Sequence, residues 1–100
     1  MAESRHKFEV INLLPIFAGG YMPTIFRLFG YLFQFYSNDH EPIHIHVLKG
    51  GARAKYSIAP VTLIENNGMR PAELKLIESI IEENQEIIAA RWNEFFNNAK

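Results

Sequence analysis

The chain has no cysteine, a single aspartate (Asp39) and a single tryptophan (Trp92) among its 100 residues. Without cysteine there is no disulfide framework and no thiolate ligand, which fits a reducing cytoplasm and leaves His, Asp and Glu as the side chains able to hold a metal ion. Long apolar runs are missing too. The longest near the N-terminus, Val10 to Ala18, falls well short of the ~20 residues a membrane-spanning helix needs, so no membrane segment is expected. Arg5, His6 and Lys7 before that run and Ala18-Gly19-Gly20 after it faintly mimic a signal peptide. Glu9, Asn12 and Pro15 interrupt the apolar part, and an N-terminal extension is the better reading. Neither sign of charge dominates, with 10 Lys and Arg against 11 Asp and Glu, so nucleic-acid binding would need a local patch rather than a basic arm. A Gly-rich phosphate loop, a serine elbow and a cysteine nucleophile are also absent, and no organic cofactor is expected.

What is present suffices for one hydrophobic core, since a chain of this size buries about two-thirds of its unfolded surface. Residues 1–21 read as a dispensable extension and residues 22–100 as a single α+β domain opening at Met22-Pro23-Thr24. From Thr24 to Tyr36, aromatic and branched residues predict two short strands or one strand bent at Gly30. Ser37 to Pro42 collects turn formers and reads as a loop. Ile43 to Leu48 alternates, placing Ile43, Ile45 and Val47 on one face and His44, His46 and Leu48 on the other. Gly50-Gly51 suits a two-residue hairpin turn, which would pair Lys49 with Ala52, Leu48 with Arg53, His46 with Lys55 and His44 with Ser57. If Tyr36 lies beside Ile43, Phe33 and Phe35 join the histidine face; a slip of one residue reverses that. Val61 to Ile64 is a further strand or a turn of helix, and Asn66-Asn67-Gly68 a turn.

A long helix is expected after Arg70, with Pro71 in its first turn and Glu73 near the positive end of the helix dipole. Leu74, Ile77, Ile81, Ile88, Trp92 and Phe95 form its apolar stripe, broadened by Ile80, Ile87 and Phe96, while Glu78, Glu82, Glu83 and Glu86 face water. Asn84 interrupts the stripe and predicts a kink or a polar helix contact. The expected fold is thus α+β: a small antiparallel β-meander of about three to four strands packed on a long C-terminal amphipathic helix.

Chemistry concentrates between Asp39 and Ser57. The two imidazoles of His44-x-His46 lie about 7 Å apart at the backbone on one strand face, within reach of one divalent ion, with His40, Asp39 and Glu41 as further candidate ligands. Lys55, expected opposite His46, would repel such an ion and favours an anion instead. Lys49, Arg53, Lys55 and Ser57 form that anion-binding alternative. In it His44 and His46 would act as general base and acid on RNA, with Lys55 or Arg53 steadying the phosphate. The third reading needs no turnover: Arg91-Trp92-Asn93-Glu94-Phe95-Phe96 is rich in residue types favoured at protein interfaces.

Met22-Pro23-Thr24-Ile25, Gly30-Tyr31, Phe35-Tyr36, Asp39-His40-x-Pro42-x-His44-x-His46-Val47, Gly50-Gly51 with Ala54-Lys55, and the ending Asn84-Gln85-Glu86 with Trp92 to Phe96 together resemble the small prokaryotic domain of unknown function 4160. The resemblance runs from about Met22 to Phe96. It maps the family's histidine motif onto His40, His44 and His46 but brings no activity with it. Members usually start at the position of Met22, so residues 1–21 depart from the pattern. They resemble stand-alone bacterial and archaeal proteins whose genes often sit beside a second small gene, an arrangement similar to toxin-antitoxin operons. The resemblance therefore implies a small cytoplasmic bacterial toxin-antitoxin or defence-like component. Such a component would bind a protein encoded by a neighbouring gene, and RNA or DNA through its His/Lys/Arg face. The alternative is a His-dependent ribonuclease or an HxH metal-binding hydrolase. An open sheet edge and an apolar helix end make a homodimer a reasonable expectation.

Overall fold

The computed structural model describes residues 9–10, 24–36 and 38–97. Apart from Glu9–Val10, the expected extension over residues 1–21 lies outside the described residues. The chain forms one antiparallel meander in which every strand pairs with its sequence neighbour: β1 (Glu9–Val10), β2 (Thr24–Leu28), β3 (Tyr31–Gln34), β4 (His44–Lys49), β5 (Ala52–Ile58) and β6 (Val61–Asn67). Two helices follow, α1 (Pro71–Glu83) and α2 (Gln85–Trp92), closed by one π turn over Asn93–Asn97.

Apart from the two-residue β1, the meander has five strands, where three to four were expected. Phe29 and Gly30 both take positive φ, 55° and 84°, so the aromatic run folds as two strands around a tight turn. Val61 onward is the fifth strand, Val61 to Asn67, most of it exposed. Its polar end, Glu65-Asn66-Asn67, resembles a turn in composition, and pairing with β5 holds it extended.

The Gly50-Gly51 hairpin closes in the expected register: Lys49 faces Ala52, Leu48 Arg53, His46 Lys55 and His44 Ser57. The β3–β4 register is one residue away from the one that would place Phe33 and Phe35 with the histidines. Gln34 faces His46 and Phe33 faces Val47, so Phe33 and Phe35 turn to the opposite side and are fully buried. Because strand side chains alternate, that single step decides which residues share the polar face.

The apolar face, built from Phe26, Phe33, Phe35, Ile45, Val47 and Tyr56, is covered by Ile77, Ile80 and Ile81 of α1 and Ile88 and Trp92 of α2. Full burial of each of these isoleucines contributes roughly 1.5–3 kcal/mol. The single long helix expected is instead two, of 13 and 8 residues. The break falls at Asn84, whose φ of −123° leaves the helical range and whose side-chain Nδ2 donates to the Ile80 carbonyl at 2.7 Å. That amide competes with the helix's own ladder, as Asn does in helix interiors. Glu78, expected in water, instead accepts a hydrogen bond from the buried Tyr56 hydroxyl at 2.9 Å. The start of α1 follows expectation, with Pro71 in the first turn and Glu73 Oε1 accepting from the Arg70 N–H at 2.8 Å. Among the described residues no helix is long and apolar enough to cross a membrane.

Candidate metal centre

The polar face of the sheet is finished by the loop between β3 and β4. Its turn is tied twice: the Asp39 N–H donates to the Tyr36 carbonyl and the Tyr36 N–H donates to Asp39 Oδ2, both at 2.9 Å. This clamp, an example of Asp side chains bonding nearby backbone, folds the only aspartate back over β4. The carboxylate then reaches both strand histidines. His44 Nε2 lies 3.0 Å from Asp39 Oδ1 and His46 Nε2 lies 3.3 Å from Asp39 Oδ2. The ligand-type atoms of Asp39, His44 and His46 all fall within 4.8 Å of one another.

Each ring is held in place by its neighbours. Tyr36 stacks flat on His46, with centroids 3.6 Å apart and planes 5° from parallel. His44 meets the His46 ring edge-on at 5.3 Å and packs against Trp92 at 5.5 Å. His44 Nδ1 is 2.9 Å from the Pro42 carbonyl oxygen, which can only accept, so Nδ1 carries the proton. The Nε2 of a neutral His44 then presents a lone pair to a carboxylate oxygen 3.0 Å away. Such a pair is favourable only with a proton or a cation between the two atoms.

Burial works to raise the pKa of Asp39, but the Tyr36 N–H and the hydrogen bond and charges of the histidines outweigh it and hold the carboxyl below its ordinary value. For His46, burial pushes the pKa down. The charge and hydrogen bond of Asp39 oppose this, the charges of His44 and Lys55 add to it, and the net shift is downward. A neutral, buried imidazole beside an ionised carboxylate is the protonation state a metal ligand requires.

The structure separates the candidate ligands into two groups. Asp39, His44 and His46 come together. His40 and Glu41 are exposed, the His40 ring meets the Glu41 carbonyl at 3.3 Å, and among the described residues neither joins the cluster. The anion-binding candidates divide as well. Arg53 and Lys55 line a cleft of about 340 Å³ together with Asp39, His46 and Tyr36. Lys49 instead sits over the Tyr31 ring, 4.5 Å from its centre. Ser57 donates its hydroxyl to the Pro60 carbonyl at 2.8 Å, within the β5–β6 turn. Sequence reasoning did not find the stack of Tyr36 on His46, the Pro42 carbonyl or the packing of Trp92 on His44. Tyr36 did carry a hint, since it adjoins the loop holding Asp39.

A meandering sheet backed by two helices, with a two-histidine, one-aspartate cluster on the open face, defines a class of small α+β domain. The family described as a domain of unknown function (DUF4160) matches residues 30–93, a span holding the whole cluster and both helices, and the chain belongs to that family. No curated protein and no solved structure matches it.

Proposed function

We propose that Asp39, His44 and His46 hold a divalent metal ion and that the protein is a metal-dependent hydrolase working at the adjoining cleft. The observation that carries the reading is the position of His44: its Nδ1–H is engaged by the Pro42 carbonyl at 2.9 Å while its Nε2 faces Asp39 Oδ1 at 3.0 Å. A backbone carbonyl on the far nitrogen is the usual device for fixing the tautomer of a metal-binding histidine. The two Asp39–histidine separations, 3.0 and 3.3 Å, fit as well. Two ligand atoms each ~2.1 Å from an ion, at angles of about 90–109°, lie about 3.0–3.4 Å apart. Two histidines and one carboxylate leave coordination positions free, as catalytic sites require. A divalent ion held there would supply Lewis acidity and lower the pKa of a bound water toward neutral. The chain's own part is orientation. Tyr36 and Trp92 fix the two rings, and the Tyr36 N–H fixes the carboxylate.

The test is elemental analysis of the purified protein, combined with thermal melts in added zinc, nickel or manganese. Near-stoichiometric metal and a raised Tm in the wild type, both lost in His46→Ala and Asp39→Asn, are expected. No bound metal together with no shift for any of the three ions would overturn the reading.

A second reading, a partner-binding component of a toxin-antitoxin-like pair without turnover, is favoured by the exposed apolar residues Leu63 and Ile64 on the outermost strand β6 and Leu76 on α1. It expects co-purification with the product of the neighbouring gene and loss of that complex in Ile64→Lys. Separate elution of the two wild-type proteins after co-expression counts against it.

A further inference from the structure

We infer that the cleft beside the triad takes a phosphate ester, its oxygens shared between the metal position and the side chains of Arg53 and Lys55. The inference rests on the metal reading above and names the substrate class of that site. Arg53 and Lys55 sit two residues apart on β5, so both project from the same sheet face, ~7 Å apart along the strand, and both line the cleft that Asp39 and His46 border. Among the described residues neither is held in an ion pair. The ion pairs among the described residues join Asp39 to the two histidines, Arg70 to Glu73 and Arg91 to Glu94. Glu65, the cross-strand partner of Lys55, accepts instead from Asn67 Nδ2 at 3.3 Å.

Charge then discriminates among ligands. Within the cleft Asp39 and Glu65 balance Arg53 and Lys55, so the protein alone offers little net attraction to an anion, and a bound divalent ion makes the site net positive. Anion binding is therefore coupled to metal binding. A carboxylate offers its oxygens in one plane, a poorer match to an ion, a guanidinium and an ammonium approaching from separate directions. A phosphate ester exposes enough oxygens for all three, and Arg contributes a fork matched to a pair of them. The cleft volume of about 340 Å³ is at the small end of the ~300–1,000 Å³ usual for ligand sites and suits one nucleotide-sized unit.

The experiment is isothermal titration of inorganic phosphate, adenosine 5′-monophosphate, a single-stranded hexanucleotide and acetate into the full chain, with manganese and with chelator. Wild type is compared with the double variant Arg53→Ala/Lys55→Ala. Both positions are on the open face and outside the core, and circular dichroism verifies that the variant folds. Expected is phosphate-class binding at least 10-fold tighter with manganese than with chelator. The double variant is expected to weaken it 10-fold or more while leaving manganese affinity within about 2-fold. Preference for the hexanucleotide over the two small probes identifies nucleic acid as the source of the ester, and the reverse identifies free nucleotide. Manganese binding with no phosphate binding, with equal affinity in the double variant, or with acetate bound as tightly overturns the inference and leaves the metal reading intact. Phosphate binding that depends on Arg53 and Lys55 in a protein that takes up no metal overturns both the metal reading and the metal-coupled form of the inference. Binding of neither sinks both.

Discussion

Trp92 offers a sharp test of the packing around the site, because two substitutions there should differ widely in cost. The side chain is only 1% exposed, and its indole touches Phe35 edge-on at 5.1 Å, Phe96 at 4.2 Å and His44 at 5.5 Å. Trp92→Ala would empty that space, and truncating a buried Trp costs about 3–5 kcal/mol in lost transfer energy and residual cavity. The Nε1–H of the same ring, however, is buried without a hydrogen-bond partner among the described residues. An orphaned buried donor costs roughly 1–3 kcal/mol. Trp92→Phe keeps most of the aromatic contact while removing that donor, so the loss of ring volume is largely offset. We expect Trp92→Phe to lie within about 1 kcal/mol of wild type and Trp92→Ala to lose about 4 kcal/mol. For a domain of this size the larger loss is on the order of 25 °C in Tm. Urea denaturation followed by far-ultraviolet circular dichroism measures both, since neither variant retains tryptophan fluorescence. If Trp92→Phe proves as costly as Trp92→Ala, the indole N–H has a partner and the argument from an unsatisfied donor fails.

Two further outcomes follow from the same physics. Because His46 is held below its ordinary value near 6.5, the unfolded chain takes up a proton before the folded one does, and stability falls as pH drops below about 6.5. Asp39, also depressed, contributes stability that is present above about pH 4 and lost as pH falls toward its folded value. Melts of metal-free protein from pH 8 to 4 should therefore decline steadily on the acid side, and His46→Asn should flatten the span from pH 7 to 5; an unchanged slope in that variant refutes the assignment. Gly68 holds φ at +99°, and a Cβ placed there would lie 3.2 Å from the Ala52 Cβ, so Gly68→Ala should cost about 2 kcal/mol by chemical denaturation. A neutral result would mean that the turn into α1 relaxes freely.

The hairpin was legible in the sequence because two local signals agreed: alternation from Ile43 to Leu48 and a Gly-Gly turn that fixed the register. The start of α1 was legible for the same reason, with Pro71 and Glu73 each suited to its place. The β3–β4 register was not, because the intervening loop is long enough to permit a one-residue slip and both faces of Phe33-Gln34-Phe35-Tyr36 can be buried. That slip displaced Phe33 and Phe35 and hid the stack of Tyr36 on His46. Asn84 in the apolar stripe points to a kink or a polar helix contact, but propensity alone does not say whether an Asn bends a helix or ends it. In the site, His44 and His46 were placed by strand periodicity. Asp39 could not be separated from His40 and Glu41, since three adjacent loop residues differ only in how the Tyr36 clamp turns them.

The triad is drawn from eight consecutive positions, Asp39 to His46, and this locality reaches beyond the native state. In the denatured chain the three side chains remain tethered within a few residues of one another, at a high effective concentration, with His40 and Glu41 nearby. An unfolded chain so equipped retains some affinity for a divalent ion, and any affinity for the unfolded form subtracts from the stabilisation a ligand confers. The rise in Tm with metal should therefore fall short of the value calculated from the native dissociation constant alone. If an ion binds as proposed, the same tether would let it gather β4 and its preceding loop before the helices have docked, so that metal would act on folding as well as at the site.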